Sequence, residues 1–208
     1  MKKKITGLYV ITDNVLVPNR SHFDVAKAAI LGGAKIIQMR DKLADDRKFY
    51  LEAVKLRELC KNANVVFIVN DRVHIASAVD ADGVHIGETE LPLEAARVVL
   101  GMDKIVGVSA DNLEQALAAE QNGADYIGFG PIFQTTTKAD AGPETGLENL
   151  AEICSKIHIP VVAIGGINLS NIEQVLATGV DCVSVISAIV TAEDMISATA
   201  EFVKFFKK

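Results

Sequence analysis

The sequence contains no apolar run approaching about 18 residues, the length that a helix needs to cross a bilayer. Its first residues also lack the basic-then-hydrophobic order of a signal peptide, so we predict no membrane partner. Low-complexity tracts are absent and half of the 208 residues are hydrophobic, which disfavours disorder. Positive charge is not in excess, because the net charge is −6, and this argues against a general nucleic-acid binder.

Cysteine is scarce in this chain. Cys60, Cys154 and Cys182 are odd in number, widely spaced and set among apolar residues, with no spacing typical of metal ligands. We therefore expect reduced core cysteines in a cytoplasmic protein. The sequence also lacks a P-loop, a CxxC pair, a GxSxG element and a GxGxxG element after a strand. The usual short motifs for nucleotide binding, dithiol chemistry and serine hydrolysis are thus missing.

What the chain does contain is a regular alternation of short β-like runs and helical patterns. Most of the runs lack strict alternation of apolar and polar residues, which is typical of parallel strands buried on both faces. The predicted strands are Leu8–Thr12, Ala34–Gln38, Val65–Val69, Gly83–Ile86, Ile105–Val108, Tyr126–Phe129, Val161–Ile164 and Cys182–Ile186. Eight β/α alternations predict a single domain, residues 1–208, folded as a (β/α)₈ TIM barrel. An open doubly wound sheet is the alternative.

The helical patterns carry recognisable ends. Gly33, Gly123 and Gly179 each stand between a helix and a strand, where glycine readily takes the left-handed conformation that ends a helix. A last helix is predicted with Thr191 as its cap. The residues expected to face the core from that helix are Ile196, Ala200, Val203 and Phe206.

Chemistry in a barrel of this kind is expected where the strands end. After the second strand, Gln38, Arg40 and Lys42 would point the same way if the extended conformation persists. Two cations and an amide at one strand end form a plausible grip for a phosphate or a diphosphate. The alternative is a solvated basic edge.

Other strand ends carry matching signals. Gly165-Gly166-Ile167-Asn168 and Ser184–Ala188 follow strands seven and eight, the usual phosphate position in such barrels, although two ordinary tight turns would also fit. Asp71 and Glu90 are carboxylates beside the basic cluster and suit Mg²⁺, which commonly bridges one or two carboxylates to a phosphate. Asp71 is the stronger candidate, because a charge at the end of an apolar strand needs a reason.

Two further features leave alternatives open. The connection from Pro131 to Gly146 is long for a compact barrel, and it predicts either a lid or a surface loop. A lid would bring Lys138 to a departing diphosphate and exclude water. His85 ends strand four, where it either contacts a substrate or lies satisfied in the core.

Taken together, these segments resemble the thiamine phosphate synthase family. The resemblance runs in order over nearly the whole chain, and it is carried by Leu-Tyr-Val-Ile-Thr-Asp at 8–13, Gln-Met-Arg-Asp-Lys at 38–42, Val-Asn-Asp-Arg at 69–72, Asp-Gly-Val-His-Ile-Gly at 82–87, Gly-Val-Ser-Ala at 107–110, Gly-Phe-Gly-Pro-Ile-Phe at 128–133, Thr-Thr-Thr-Lys at 135–138, Val-Ala-Ile-Gly-Gly-Ile at 162–167 and Val-Ser-Val-Ile-Ser-Ala-Ile at 183–189. Each motif alone is weak, but nine in the same order form a specific pattern.

The resemblance implies a barrel that joins an aminopyrimidine methyl diphosphate to a thiazole phosphate and releases pyrophosphate with Mg²⁺. It implies small-molecule substrates and says nothing of the oligomeric state. The residues that would hold the pyrimidine diphosphate are Gln38, Arg40, Lys42, Asn70, Ser109 and Lys138, of which Arg40, Lys42, Ser109 and Lys138 would be catalytic. Those that would bind the thiazole phosphate are Thr135, Thr137, Gly166, Ile186 and Ser187, and the metal ligands would be Asp71 and Glu90.

One departure from the family pattern concerns the metal. The family usually has Gln-Glu-Asp after His-Ile-Gly, whereas this chain has Glu88-Thr89-Glu90, so the carboxylate is kept with one methylene more. Two rival functions are a thiazole tautomerase of the same fold and a non-catalytic barrel that binds a phosphorylated regulator. Neither would need the basic cluster and the carboxylates together, so the sequence favours the synthase.

Overall fold

The protein is described by a computed structural model covering residues 2–135, 137 and 142–206. Strands and helices alternate along this part of the chain. In order they are β1 (Gly7–Thr12), α1 (His22–Gly32), β2 (Ile36–Met39), α2 (Asp46–Asn62), β3 (Val66–Asn70), α3 (Val73–Ala78), β4 (Gly83–Ile86), α4 (Leu93–Leu100), β5 (Ile105–Ala110), α5 (Leu113–Gln121), β6 (Tyr126–Phe129), α6 (Gly146–Lys156), β7 (Val161–Ile164), α7 (Ile172–Leu176), β8 (Cys182–Val185), α8 (Ser187–Val190) and α9 (Met195–Lys204).

The eight strands form one closed parallel barrel in sequence order. Closure comes from β1 and β8, which pair in parallel with Gly7 opposite Cys182 and Tyr9 opposite Ser184. An open doubly wound sheet would leave two unpaired edges, and this pairing removes them. The prediction of a (β/α)₈ barrel is therefore confirmed.

Burial on both faces explains the nearly continuous apolar strands. Every residue of β1, β2, β3, β6 and β8 is buried, because helices cover the outside while side chains fill the inside. The polar residues Gln38, Asn70 and Ser184 are buried in or at the end of these strands. A buried polar group needs a partner, so these positions mark where the barrel interior is not simply a packed core.

Two glycines make room for rings inside the barrel. A Cβ on Gly107 of β5 would lie 2.0 Å from Cζ of Tyr126, and one on Gly128 of β6 would lie 2.8 Å from Cε1 of His85. Both strands carry glycine at the place where a neighbouring ring occupies the space of a side chain. The small residues thus position Tyr126 and His85.

The helix ends follow their capping residues. Ser21 and Asp24 form a capping box at the start of α1, and Gly33 ends that helix at φ 101° in the left-handed conformation. Gly123 and Gly179 also have positive φ, of 89° and 90°, as the sequence predicted.

The prediction for the last helix was partly wrong. α9 is capped by Asp194, whose carboxylate accepts from the backbone N–H groups of Ile196 and Ser197, whereas the Thr191 hydroxyl donates to the Ser187 carbonyl of α8. Ile196 is 43% exposed, and the face that α9 buries contains Phe202. Because its carboxylate accepts from two backbone N–H groups, Asp194 is a better N-cap for α9 than Thr191.

All three cysteines are free. Among the helices that the structure describes, none combines the length and the apolar character needed to cross a bilayer.

Candidate active site

Three neighbouring cavities lie where the strands end. The inner cavity, about 110 Å³, enters the barrel and is lined by residues including Tyr9, Gln38, Asn70, Ser109, Tyr126 and Ser184. The charged cavity, about 530 Å³, is lined by residues including Arg40, Lys42, Asp71, His85, Glu88 and Glu90. The glycine cavity, about 40 Å³, is lined by residues including Thr135, Thr137, Gly165, Gly166, Ile186 and Ser187. They form a row with the inner cavity in the middle, because it shares lining residues with each of the other two.

A chain of hydrogen bonds, here called the hydroxyl relay, crosses the floor of the inner cavity. Gln38 Nε2 donates to Tyr9 Oη at 2.6 Å, and Tyr9 Oη lies 3.1 Å from Tyr126 Oη. Tyr126 Oη lies 3.0 Å from His85 Nδ1, and His85 Nε2 lies 3.0 Å from Ser109 Oγ. The relay therefore connects the side chains at the ends of β2 and β5 through the barrel interior.

The direction of the hydrogen bonds in the relay follows from the tautomer of His85. Burial raises the pKa of Tyr9 and of Tyr126, so both hydroxyls keep their protons at ordinary pH. An amide nitrogen only donates, so Tyr9 accepts from Gln38, and either tyrosine hydroxyl can donate in the bond between Tyr9 and Tyr126. When the imidazole carries its proton on Nε2, His85 accepts from Tyr126 and donates to Ser109. In that tautomer the Ser109 hydroxyl donates to another acceptor.

Arg40 lies between the inner and the charged cavities, and its guanidinium has N–H groups that can donate to a ligand. Its closest carboxylate contact is Asp13 Oδ2, 3.9 Å from Nη1, while Asp13 Oδ1 accepts from the N–H groups of Val15 and Leu16. Its Nε is buried, and no part of the chain that the structure describes accepts from it. Guanidinium groups in this situation suit an oxyanion, which can take two hydrogen bonds at once.

Lys42 is held between two carboxylates at the mouth of the charged cavity. Its Nζ lies 2.6 Å from Asp71 Oδ2 and 3.3 Å from Glu90 Oε1. Burial opposes the charge on Lys42, but the hydrogen bonds and the attraction of Asp71 and Glu90 outweigh it and raise the pKa of Lys42. The two acids thus converge on one cation.

The same convergence bears on the predicted Mg²⁺. Asp71 and Glu90 are hard oxygen donors directed at a common point, and Mg²⁺ commonly takes one or two carboxylates and completes its shell with phosphate oxygens and water. Within the described residues no group of three or more His, Cys, Asp or Glu is placed to hold a metal. A two-carboxylate site that also needs a substrate phosphate fits both observations.

Asp71 has an uncommon backbone conformation. Its φ is 64°, in the left-handed region that residues other than glycine rarely adopt, and its N–H donates to the His85 carbonyl at 2.8 Å. Strain of this kind collects at functional positions, because the surrounding structure must maintain it. It turns Asp71 out of β3 toward Lys42.

Asp41 shapes the turn that carries the basic cluster. Its Oδ1 accepts from the N–H groups of Leu43 and Ala44 at 2.9 Å, and its Oδ2 lies 3.4 Å from His22 Nε2. Burial works against the charge of Asp41, yet these hydrogen bonds hold the pKa of its carboxyl below the ordinary value. The acid in Gln-Met-Arg-Asp-Lys is therefore explained by the turn between Arg40 and Lys42.

The glycine cavity is built from backbone. Gly165 and Gly166 have φ values of 99° and 65°, and a Cβ on Gly166 would lie 2.7 Å from Cβ of Phe133. Only glycine fits such a close approach in this conformation. The first N–H groups of α8, which begins at Ser187, have no partner within that helix. Amides and the hydroxyls of Thr135 and Thr137 offer donors to an anion.

The structure brings the predicted site residues that it describes into these three cavities, and Lys138 lies outside the described residues. In the charged and inner cavities these are Gln38, Arg40, Lys42, Asn70, Asp71, Glu90 and Ser109, and in the glycine cavity Thr135, Thr137, Gly166, Ile186 and Ser187. Tyr9 and Tyr126 were not predicted. A tyrosine within an apolar strand was the available signal, because its buried hydroxyl requires a partner.

The fold and the site together define a class of protein, a (β/α)₈ barrel whose mouth suits phosphorylated ligands. The thiamine monophosphate synthase family matches residues 8–189. The chain is 49% identical over 196 residues to the thiamine-phosphate synthase of Methanospirillum hungatei (94% of this chain, 95% of that protein) and 51% identical over 191 residues to that of Methanocella arvoryzae (92% and 90%). A solved structure, thiamine phosphate pyrophosphorylase from Pyrococcus furiosus, superposes with a TM-score of 0.89 at 45% identity and covers 98% of each chain. The chain belongs to the thiamine monophosphate synthase family.

The resemblance seen in the sequence is thus confirmed, and with it the prediction of a transferase of thiamine biosynthesis. Two of these relatives are thiamine-phosphate synthases by name and the third is a thiamine phosphate pyrophosphorylase, which favours the synthase over the tautomerase and the regulatory barrel.

Proposed function

We propose that this chain joins an aminopyrimidine methyl diphosphate to a thiazole phosphate, giving thiamine phosphate and pyrophosphate. The observation that supports it is the order of the three cavities. A charged cavity, an inner cavity and a glycine cavity lie in a row. The two substrates placed for reaction present their groups in the same order: a diphosphate, two heteroaromatic rings and a phosphate.

The charged cavity is the proposed diphosphate end. Arg40 and Lys42 hold the diphosphate, and Asp71 with Glu90 holds Mg²⁺. The ion supplies positive charge to the leaving group as negative charge develops on it. Loss of a diphosphate develops charge on its oxygens, and fixed cations stabilise that charge with little reorganisation. Lys138 is proposed to add a further cation from the connection after β6.

The inner cavity is the proposed place of bond breaking. Gln38, Asn70 and Ser109 orient the pyrimidine diphosphate. We assign the proton of His85 to Nε2, so that His85 donates to Ser109 and Ser109 donates to the substrate. The bond between the pyrimidine methylene and the diphosphate oxygen breaks first, and the bonding electrons leave with the diphosphate. The electron-rich ring stabilises the methylene cation until the thiazole nitrogen supplies the electron pair of the new bond. A narrow, mainly apolar cavity excludes water that would otherwise trap the cation.

The glycine cavity is the proposed anchor for the second substrate. Backbone N–H groups at Gly166, Ile186 and Ser187, with the hydroxyls of Thr135 and Thr137, hold the thiazole phosphate by its phosphate group. Anchoring the phosphate directs the thiazole ring into the inner cavity. Correct placement of two reactants converts a bimolecular encounter into an effectively unimolecular step.

Product analysis tests this proposal. The purified protein is supplied with both substrates and Mg²⁺, and thiamine phosphate is separated and quantified over time. We expect thiamine phosphate only when both substrates are present. Isomerisation of a thiazole carboxylate phosphate without condensation would instead support the tautomerase, and binding without turnover would support the regulatory barrel.

A further inference from the structure

Ser184 is a hydroxyl inside the barrel that the proposed roles do not use. It lies on β8, paired in register with Tyr9 of β1 and with Ile164 of β7. Tyr9 reaches Gln38 and Tyr126 across the barrel interior, and in-register neighbours in a sheet point to the same side, so Ser184 faces inward too. The residue is only 2% exposed.

The Ser184 hydroxyl has no hydrogen-bond partner among the residues that the structure describes. Its Oγ is buried, and nothing in the described ranges 2–135, 137 and 142–206 donates to it or accepts from it. Other buried hydroxyls are satisfied: Thr12 Oγ1 lies 2.7 Å from His22 Nδ1, and Thr199 Oγ1 donates to the Met195 carbonyl at 2.7 Å. An unmade hydrogen bond in the interior destabilises the folded chain, so a hydroxyl here needs a reason other than packing.

The position of Ser184 supplies that reason. The inner cavity and the glycine cavity share four lining residues, Thr135, Ile164, Gly165 and Ser184. A ligand with its ring in the inner cavity and its phosphate in the glycine cavity must pass this neck. The atoms that pass it are the two side-chain carbons of the thiazole and the one ester oxygen that links them to phosphorus, and an ester or phosphate oxygen accepts a hydrogen bond from a hydroxyl.

We propose that Ser184 is a further binding residue for the thiazole phosphate and donates its hydroxyl hydrogen to an oxygen of the phosphate ester at the neck between the two cavities. The inference rests on the proposed function, because it takes the thiazole phosphate as the ligand that spans the neck. The hydroxyl makes this hydrogen bond to the substrate, and no other described residue offers it a partner. The Ser184 hydroxyl therefore strengthens substrate binding but lowers the stability of the folded chain.

Because the two effects have opposite signs, substrate affinity and thermal stability together test the proposal. The variant Ser184→Ala should raise the KM for the thiazole phosphate by about 2- to 12-fold, the range of one net neutral hydrogen bond. The KM for the pyrimidine diphosphate should stay unchanged. The thermal unfolding midpoint without substrates should stay the same or rise, because the substitution removes an unsatisfied hydroxyl. Titration calorimetry with the thiazole phosphate alone should show the same weakening.

Thr199→Val is the matched control, since it also deletes a buried hydroxyl but one that donates to Met195 on α9. It should lower the unfolding midpoint and leave both KM values unchanged. An unaltered affinity of Ser184→Ala for the thiazole phosphate would overturn the inference, as would a lowered midpoint with both KM values raised equally. An unsubstituted chain that makes no thiamine phosphate would overturn the proposed function itself, and this inference with it.

Discussion

The ammonium of Lys42 lies 2.6 Å from a carboxylate oxygen of Asp71, the residue that leaves β3 with a φ of 64°. Glu90 approaches the same ammonium at 3.3 Å. One cation and two carboxylates thus meet at a single point. In the proposed function the two acids hold Mg²⁺ and the lysine turns to the diphosphate.

Removing one of these acids should weaken the response to Mg²⁺. With Asp71→Asn we expect the rate at a fixed, limiting Mg²⁺ concentration to fall by about 10²-fold, as for loss of one preorganised electrostatic contact. Glu90→Asp restores the side-chain length usual in the family and should keep the rate within about tenfold of the original chain. Rates measured across a Mg²⁺ titration check both variants. An Asp71→Asn titration that superimposes on the original would exclude Asp71 as a metal ligand.

Arg40 should contribute to the departure of the diphosphate. Arg40→Met should lower kcat by about 10²–10³, or about 3 kcal/mol, because a fixed cation is lost where negative charge develops. Arg40→Lys should recover only part of this, since an ammonium cannot bind an oxyanion through two parallel N–H groups. Arg57→Met is a suitable control, because Arg57 pairs with Asp82 and Asp80 and lines none of the three cavities. Its kcat should stay unchanged even if its stability falls.

The hydroxyl relay predicts unequal effects of two similar substitutions. Tyr126→Phe keeps the ring but removes the hydroxyl that lies 3.0 Å from His85 Nδ1. In the proposed tautomer this hydroxyl donates to Nδ1, so without it the imidazole is no longer held with its proton on Nε2. Tyr9→Phe leaves the bond between Tyr126 and His85 in place. In ¹⁵N spectra of histidine, Nδ1 of His85 should stay unprotonated in Tyr9→Phe and lose that fixed state in Tyr126→Phe.

Activity should follow the same division. We expect kcat/KM for the pyrimidine diphosphate to fall by about tenfold in Tyr126→Phe, because Ser109 loses its fixed orientation. If the ¹⁵N shifts of His85 in both variants equalled those of the original chain, the tyrosine hydroxyls would not determine its tautomer.

Asp41 should make stability depend on acid pH. Its pKa is lowered in the folded chain from an ordinary value of 3.8, so the charged carboxylate stabilises the fold above that value. This contribution disappears as the pH falls through the lower pKa of the folded chain. Asp41→Asn should cost about 1–3 kcal/mol of unfolding free energy at neutral pH. Urea unfolding should show that this difference narrows below pH 3.8, and a difference that stays constant down to pH 2 would refute the assignment.

Much of the fold could be predicted because each strand is a local pattern. The eight apolar runs coincide with the eight strands to within two residues, and glycines such as Gly33 mark helix ends by a local conformational need. Helix faces were less predictable. On α2 the apolar residues Leu51 and Val54 are 53% and 41% exposed, while Phe49 and Ala53 are buried. The side of a helix that packs against the barrel depends on the neighbouring elements. Periodicity shows only that apolar residues lie along one side of the helix.

The sequence predicts site residues only from their type and from their position after a predicted strand. Arg40, Lys42 and Asp71 could be predicted in this way, because each is a charged residue that follows an apolar strand. The relay could not be foreseen, because its bonds join residues far apart in the chain, such as Tyr9 and Tyr126, which are 117 positions apart. Gly107 and Gly128 likewise acquire their meaning only from the rings that lie against them.

The most direct test of the central claim is the release of pyrophosphate under controlled omission. The claim is that Arg40, Lys42 and a divalent ion held by Asp71 and Glu90 draw the diphosphate from the pyrimidine methylene. Pyrophosphate is measured with both substrates and Mg²⁺, and then with either substrate or the metal left out. We expect rapid release only in the complete mixture. Equal release after Mg²⁺ has been removed by a chelator, or none in the complete mixture, would contradict the account.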